Sequence, residues 1–281
     1  MPLPRLARGG LTWTLPKADV KETVSAFGDG LGMEMYFEDH GPLDTRPLVL
    51  VHGALSGIGA SFGSLLPLLA KSRRVIAVEL QAHGRTPDID RPLTVEHFAA
   101  DIVELLDRLG AERADVLGWS MGGAVALRLG TDYPERVNRL VLASMSFHSG
   151  GLHPVVLDGI ADLQPEHLHG SEFYDDYVHT APDPAGWANL VTKMKVLDAS
   201  LPQWTPAQIR ELTAPTMVII ADSDIIQPEH AVELFRLLGG GVTGDLTGLP
   251  ACRLAILPGT THTTVPQRAD WIAPMVDEFL S

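Results

Sequence analysis

Short apolar runs alternate with amphipathic stretches along most of the chain, and this alternation restricts the possible folds more than any other feature. Pro47-Leu-Val-Leu-Val51 has no polar residue in either phase of a two-residue period. A parallel strand covered on both faces reads that way. A helical stretch over 59–70 and a strand over 74–79 follow. From Thr94 to Leu109, residues Val95, Phe98, Ala99, Ile102, Leu105, Leu106 and Leu109 recur at helical spacing, and Gly110 stands where a C-terminal cap would end the helix. Asp115–Leu117 reads as a strand, 124–129 as a helix and Arg139–Ala143 as a strand. Thr216–Ala221, Glu229–Leu238 and Arg253–Leu257 continue as strand, helix and strand. Asp270–Leu280 closes as a helix whose Pro274 belongs in the first turn or at a kink. The pattern predicts an α/β fold with a mostly parallel central sheet and helices on both faces.

The amino-terminal segment is less regular. Leu11–Leu15 suggests an edge strand, Gly28–Gly32 a turn and Met33–Phe37 a further strand. Between 147 and 214 the rhythm is lost altogether. That stretch holds five histidines, several prolines and the aromatics Phe173, Tyr174, Tyr177, Trp187 and Trp204. It is too long for an ordinary loop. We expect an inserted, partly helical cap over 147–214, with 1–146 and 215–281 forming the core. The aromatics serve first as the cap's own core, while part of its underside lines a cleft. Residues 239–248 are too glycine-rich for a regular helix.

The net charge of -14, from 21 Lys plus Arg against 35 Asp plus Glu, argues against nucleic acid or an anionic membrane as partner and points to a small molecule. Cys252 is the only cysteine, which leaves no intramolecular disulfide and no cysteine-rich metal site. Neither a secretory signal nor a membrane anchor is recognisable in MPLPRLARGG or beyond it. A cytoplasmic location is the expectation; oligomeric state is not legible.

Gly118-Trp-Ser-Met-Gly122 sits between a predicted strand and a predicted helix. A serine in a G-x-S-x-G turn there is lifted above the sheet on a strained backbone, and small neighbours keep the chain from colliding with itself as it doubles back. Ser120 is therefore the candidate nucleophile; the bland alternative is a serine that merely caps the helix. A serine hydroxyl needs a base to take its proton. Of the eleven histidines, His262 is best placed, beyond the strand Arg253–Leu257 at the carboxyl edge of the sheet. Alone it would be an ordinary turn histidine; the chain order Ser, Asp, His promotes it. Both Asp222 and Asp224 follow the strand Thr216–Ala221. Asp224 lies farther out, where the chain turns inward, and is expected to orient His262, with Asp222 supporting the loop. The Met121 and Ala54 amides are the expected oxyanion donors. His52 and His83 also end strands, and structural hydrogen bonding is expected of them.

Together HGAL at 52–55, ELQAHGRT at 79–86, GWSMGG at 118–123, ADSDIIQP at 221–228 and PGTTH at 258–262 resemble the α/β-hydrolase fold family over about Met33 to Leu280. The acid segment is similar to the family's G-x-x-D-x-x-x-P, with Ala221 in place of glycine, which sets the acid at Asp224. ELQAHGRT resembles D-x-x-G-H-G-x-S, altered at Glu79, Ala82 and Thr86. The resemblance implies a serine-dependent, carboxylesterase-like enzyme that forms an acyl-enzyme and needs no metal or organic cofactor. A small or medium, largely apolar ester is the expected substrate. The alternatives are a carbon–carbon bond hydrolase or lactonase, and a binding protein without catalysis.

Overall fold

The computed structural model describes residues 26–27 and 34–281. The readings of Leu11–Leu15 and Gly28–Gly32 lie outside those residues. Ala26–Phe27 (β1) pairs antiparallel with Glu34–Met35 (β2). The main sheet has seven strands: Phe37–His40 (β3), Leu48–Val51 (β4), Val75–Val78 (β5), Ala114–Trp119 (β6), Val137–Ala143 (β7), Thr216–Ser223 (β8) and Arg253–Thr261 (β9). Their order is β3-β5-β4-β6-β7-β8-β9. Only β3 runs antiparallel to its neighbour; every other pairing is parallel. The strand expected over Met33–Phe37 is broken at Tyr36, whose N–H donates to Thr86 Oγ1 at 2.9 Å rather than to a ladder.

Both faces of the sheet are covered, which accounts for the unbroken apolar run in β4. Leu48 and Leu50 pack with Ile58–Phe62 (α1), Leu66–Leu69 (α2) and Ala269–Leu280 (α11). Val49 and Val51 pack on the opposite side with Val95–Arg108 (α3), Met121–Asp132 (α4) and Pro228–Leu237 (α9). The single helix expected over 59–70 is two short ones. Pro67 lacks an N–H for the Gly63 carbonyl and its ring would crowd that carbonyl, so a continuous helix is interrupted there. Pro274 lies inside α11, beyond its first turn. The glycine-rich 239–248 stretch contains one four-residue helical turn, Gly244–Thr247 (α10).

The segment between β7 and β8 is helical. It comprises the 3₁₀ turns Ser149–Gly151, Pro165–Leu168 and Pro184–Gly186 and the helices Pro154–Ala161 (α5), Glu172–Thr180 (α6), Trp187–Ala199 (α7) and Pro206–Arg210 (α8). Trp187 meets Tyr174 and Tyr177 with ring centroids 5.4 and 5.3 Å apart, a small aromatic core of the cap. A polar clasp ties α7 to the loop after β5: Lys193 Nζ donates to Asp88 Oδ2 at 2.6 Å and Asn189 Nδ2 to the same oxygen at 2.8 Å.

The sheet order reverses at β4: the chain runs outward to β5 and then returns to β6 on the other side. At such a switch point the loops leaving the two central strands diverge and open a crevice at their carboxyl ends. Ser120 stands at the carboxyl end of β6.

Candidate active site

Four non-glycine residues among those described have positive φ: Leu55, Ala82, Ser120 and Ser144. They follow β4, β5, β6 and β7 in turn, so the left-handed backbone is confined to the carboxyl edge of the sheet. Such conformations persist only where surrounding structure overrides their cost, and they concentrate at working sites. Ser120 has φ 56° and ψ -120° and leads directly into α4. The turn closes tightly. A Cβ on Gly118 would come within 2.0 Å of the Gly122 carbonyl oxygen, and one on Gly122 within 2.0 Å of the Val51 oxygen. Glycine at these two positions lets β6 fold back on α4 and brings the elbow against the end of β4.

Three side chains from three strand ends meet there. The Ser120 hydroxyl donates to His262 Nε2 at 2.9 Å, and His262 Nδ1–H donates to Asp224 Oδ1 at 2.7 Å. A carboxylate is an acceptor only, so the Asp224 contact fixes the hydrogen on Nδ1 and leaves Nε2 to accept. His262 opens a 3₁₀ turn, His262–Arg268, directly after β9. Its ring packs against Trp119 with centroids 5.4 Å apart.

The two acids beyond β8 have different surroundings. Asp224 has no exposed side-chain surface. Burial alone would raise its pKa; the hydrogen bond and charge of His262, the Ser144 hydroxyl at 2.6 Å and the Ala221 N–H at 3.2 Å outweigh it and hold the carboxyl below its ordinary range. Asp222 is exposed and accepts from the Gly259 and Thr260 amides at 2.8 and 3.1 Å, contacts that also hold it below the usual carboxylate range. The structure thus brings Asp224 to the histidine and Asp222 to the strand segment that carries it.

Met121 is the first residue of α4, and an N–H at that position has no carbonyl to bond within its own helix. Ala54 lies half-buried in the turn between β4 and α1. His52 and His83 are sealed and structural. His52 Nδ1–H donates to the Gly53 carbonyl at 2.8 Å and Nε2 accepts the Leu80 N–H at 3.0 Å. Burial, aided by the neighbouring His83, lowers the His52 pKa to about 3, so the ring stays neutral and braces the turn before Ala54.

Sequence reasoning did not single out Trp119, Ser144 or Glu79. Trp119 is buried between His262 and Gly53, where a Cβ would lie 2.5 Å from the indole. Its place just before the nucleophile was the available signal. Ser144, with φ 48°, supplies a second side-chain donor to Asp224 beside His262, and nothing in the sequence pointed to that contact. Glu79 was noticed only as a departure from the family's aspartate, and it is almost fully buried.

Among the described residues, one group places three potential metal-ligand atoms close together: His148, His230 and Glu233. The chemistry of His230 argues against metal binding. Its Nε2 accepts the Phe147 N–H at 3.1 Å, so the hydrogen of the neutral ring sits on Nδ1, the nitrogen that faces Glu233. An ion there would have to remove that hydrogen, leaving an imidazolate, or break the Phe147 hydrogen bond.

A family model described as the alpha/beta hydrolase fold matches residues 46–165. The chain is similar to a protein of Variovorax paradoxus (strain S110) provisionally named carbamate hydrolase RutD, with 29% identity over 221 residues that cover 70% of this chain and 80% of that protein. It is also similar to the 2-hydroxymuconate semialdehyde hydrolase of Pseudomonas sp. (strain CF600), 42% identical over 110 residues, 36% of this chain and 38% of the relative. Among solved structures, the meta-cleavage product hydrolase CumD of Pseudomonas fluorescens IP01 superposes with a TM-score of 0.73 at 19% identity, covering 93% of this chain and 97% of that one. At that identity the likeness speaks for the fold alone. No helix among the described residues is long and apolar enough to cross a membrane.

Proposed function

Because the chain belongs to the α/β-hydrolase fold family, we propose that it is a serine hydrolase in which Ser120 is the nucleophile, His262 the base and Asp224 the residue that orients it. The observation carrying this reading is the unbroken relay from Ser120 Oγ to His262 Nε2 at 2.9 Å and from His262 Nδ1 to Asp224 at 2.7 Å. In this mechanism Ser120 Oγ attacks a carbonyl carbon while its proton passes to His262 Nε2. The Met121 and Ala54 amides donate to the oxygen that becomes negative. His262 then gives its proton to the leaving group, and water, activated by the same ring, releases the acyl group from Ser120. No step calls for a metal or an organic cofactor.

The substrate in this proposal is a small metabolite. The relatives shift the preference away from a simple apolar ester. The name of the 2-hydroxymuconate semialdehyde hydrolase supports the carbon–carbon bond or lactone reading over the carboxylesterase-like one, and the carbamate relative likewise points away from a simple ester. The same relay serves either reaction, since both begin at an electrophilic carbonyl. Residues 147–214, as the proposed cap domain, roof the cleft and set the choice among such substrates.

Two measurements test this reading. Ser120→Ala is expected to abolish covalent labelling by a serine-directed phosphonate, and undiminished labelling of that variant would remove Ser120 from its role. The second compares kcat/KM for a vinylogous diketone ring-cleavage product with that for uncharged esters of increasing chain length. The diketone is expected to lead; the reverse order would return the preference to esters.

A further inference from the structure

We propose that Asp176, on cap helix α6, is a positioning residue for the oxyanion loop: it supplies the missing cap of α1 and so seats the 52–57 turn that carries the Ala54 N–H. The role rests on the hydrolase reading above and deepens it, because the oxyanion site is then complete only with the cap docked on the core.

Helix α1 starts without a side-chain cap of its own. Its N-cap is Gly57, in an extended conformation with φ -123° and ψ -173°. Ser, Thr, Asp or Asn ordinarily stands there and offers an oxygen to the free N–H groups of the first turn. Here two carboxyls from elsewhere take that place. Glu79, directly after β5, accepts the Ile58 N–H at 3.3 Å. Asp176 reaches over from α6: a Cβ on Gly57 would lie 2.7 Å from its Oδ2, and one on Gly59 3.2 Å from its Oδ1. Burial opposes a charge on Asp176, while Arg85, the Gly57 N–H and His179 favour it. A side chain at 57 would collide with Asp176, so glycine at this position hands the capping of α1 to the cap helix.

The seating of α1 reaches Ala54 through Ser61. That residue lies on α1, and its N–H donates to the Gly57 carbonyl at 3.1 Å. Its Oγ accepts the Gly53 N–H at 3.4 Å and meets Ser56 Oγ at 2.7 Å, so it grips the turn on either side of Ala54 and Leu55. Leu55 itself has a left-handed φ of 56°. Among the described residues the Ala54 N–H has no hydrogen-bond partner, which leaves it to serve an oxyanion and leaves its direction to the anchors around it. A helix of five residues has little stability of its own, so contacts from outside decide where it sits. An oxyanion donor helps only when it is aimed before charge develops, and a small misplacement is costly. The acceptor on α6 therefore bears on the reaction as well as on the docking of the cap.

The test compares Asp176→Leu, which keeps the size of the side chain and loses its acceptors, with Asp176→Asn, whose amide oxygen still accepts. Kinetics are measured on 4-nitrophenyl butyrate and on its thionoester, whose sulfur is a weak acceptor and gains little from oxyanion donors. Asp176→Leu should lower kcat for the oxygen ester roughly tenfold with KM nearly unchanged, and kcat for the thionoester by no more than about twofold. Asp176→Asn should recover most of the loss. Hydrogen exchange supplies a readout that needs no turnover: amides over 53–58 should exchange faster in Asp176→Leu and return towards wild type in Asp176→Asn. Equal losses on both esters, a loss confined to KM, or unchanged exchange over 53–58 would overturn the proposal and leave Asp176 as a cap contact. If wild type hydrolysed neither ester, the rate of Ser120 labelling by a phosphonate, whose P=O oxygen needs the same donors, takes the place of kcat and should fall in Asp176→Leu. Absence of labelling as well would remove the hydrolase reading and the catalytic role together, whereas normal labelling with unchanged exchange would remove only the role of Asp176.

Discussion

Two buried carboxyl groups flank the nucleophile strand, each two strands away from it. Asp224 lies beyond β8 on one side and Glu79 follows β5 on the other. Burial pushes both upward, and the outcome depends on what each one faces. Asp224 is met by donors only: His262, the Ser144 hydroxyl and the amides of Ala221 and Ile226. It stays below the ordinary carboxylate range. Glu79 accepts from the Arg85 side chain at 2.8 Å, from the Arg85 amide and from the Ile58 N–H, but Asp176 of cap helix α6 adds a second negative charge and burial prevails, raising Glu79 to about 7. A buried acid surrounded by donors is a permanent charge that can orient a histidine. One that faces another acid is a proton-sensitive joint between core and cap.

Breaking the first side should have the largest effect. Asp224→Asn is expected to reduce kcat by orders of magnitude, up to ~10⁴ by analogy with loss of a triad aspartate. An amide can present its NH₂ to His262 Nδ1 and so favour the wrong tautomer. Asp222→Asn should cost far less, because its contacts hold the backbone at Gly259 and Thr260 rather than the imidazole. Steady-state kinetics on variants with unchanged near-UV circular dichroism would settle the ranking. The reverse order would assign the orienting role to Asp222.

Trp119 sharpens the same side. Its indole face limits how far the His262 ring can tilt, and its six-membered ring fills the space above Gly53. Trp119→Leu should lower kcat roughly 10- to 100-fold with little change in KM, because a misdirected base slows proton transfer without disturbing the bound substrate. Trp119→Phe, which keeps a planar face, should recover most of that loss. A fall in thermal stability with kcat unchanged would mark Trp119 as core packing and nothing more.

The core side of the molecule was far more legible in the sequence than the cap side. β4, α3, β7 and α11 lie within a few residues of where hydrophobic spacing put them, because each buries a face whose period is set by its own backbone. The glycines around Ser120 were readable for the same reason: close approach of main chain to main chain leaves no room for a side chain. The helices of 149–210 were legible only as a loss of rhythm. Their burial depends on neighbours distant in sequence, as with Lys193 reaching Asp88 or Trp204 lying under Arg128. The split between α1 and α2 followed from Pro67 and could have been read; Pro274 shows the converse, a proline that tertiary packing keeps inside a helix. Glu79 and Asp176 were not readable as a pair, since 97 residues separate them and only the docking of α6 on the turn at Gly57 brings them together.

That docking gives the smallest of the expected effects and the clearest sign. A Cβ on Gly57 would lie 2.7 Å from Asp176 Oδ2 and 3.2 Å from Glu79 Oε1, so both carboxyls crowd one glycine. Burial also raises Asp176, against the pull of Arg85 and His179, and Glu172 on the same helix adds negative charge beside it. In the unfolded chain Glu79 loses its proton near its ordinary value of 4.5, whereas in the folded protein it keeps it until about 7. Between those values the folded state binds more protons, so stability is fully present below the lower value and declines as pH rises to the upper one. At about 1.4 kcal/mol for each unit of difference, the loss from Glu79 is on the order of 3 kcal/mol. Asp224, whose shift is opposite in sign, acts at lower pH, but the buried histidines His52, His83 and His230, lowered from 6.5 to about 3, 4 and 4, oppose Glu79 inside this window because they add stability as pH rises towards 6.5. Urea unfolding at pH 5, 6, 7 and 8 isolates this contribution as the difference between wild type and Glu79→Gln, which carry the same buried histidines, and wild type should lose stability relative to the variant across the series. Glu79→Gln, which has no proton to lose, should therefore gain on wild type as pH rises whatever its absolute stability, and Asp176→Asn should gain in part by removing the opposing charge. Parallel slopes in wild type and Glu79→Gln would mean that the Arg85 ion pair already keeps Glu79 ionised throughout, and the contrast between the two sides of the sheet would reduce to geometry alone.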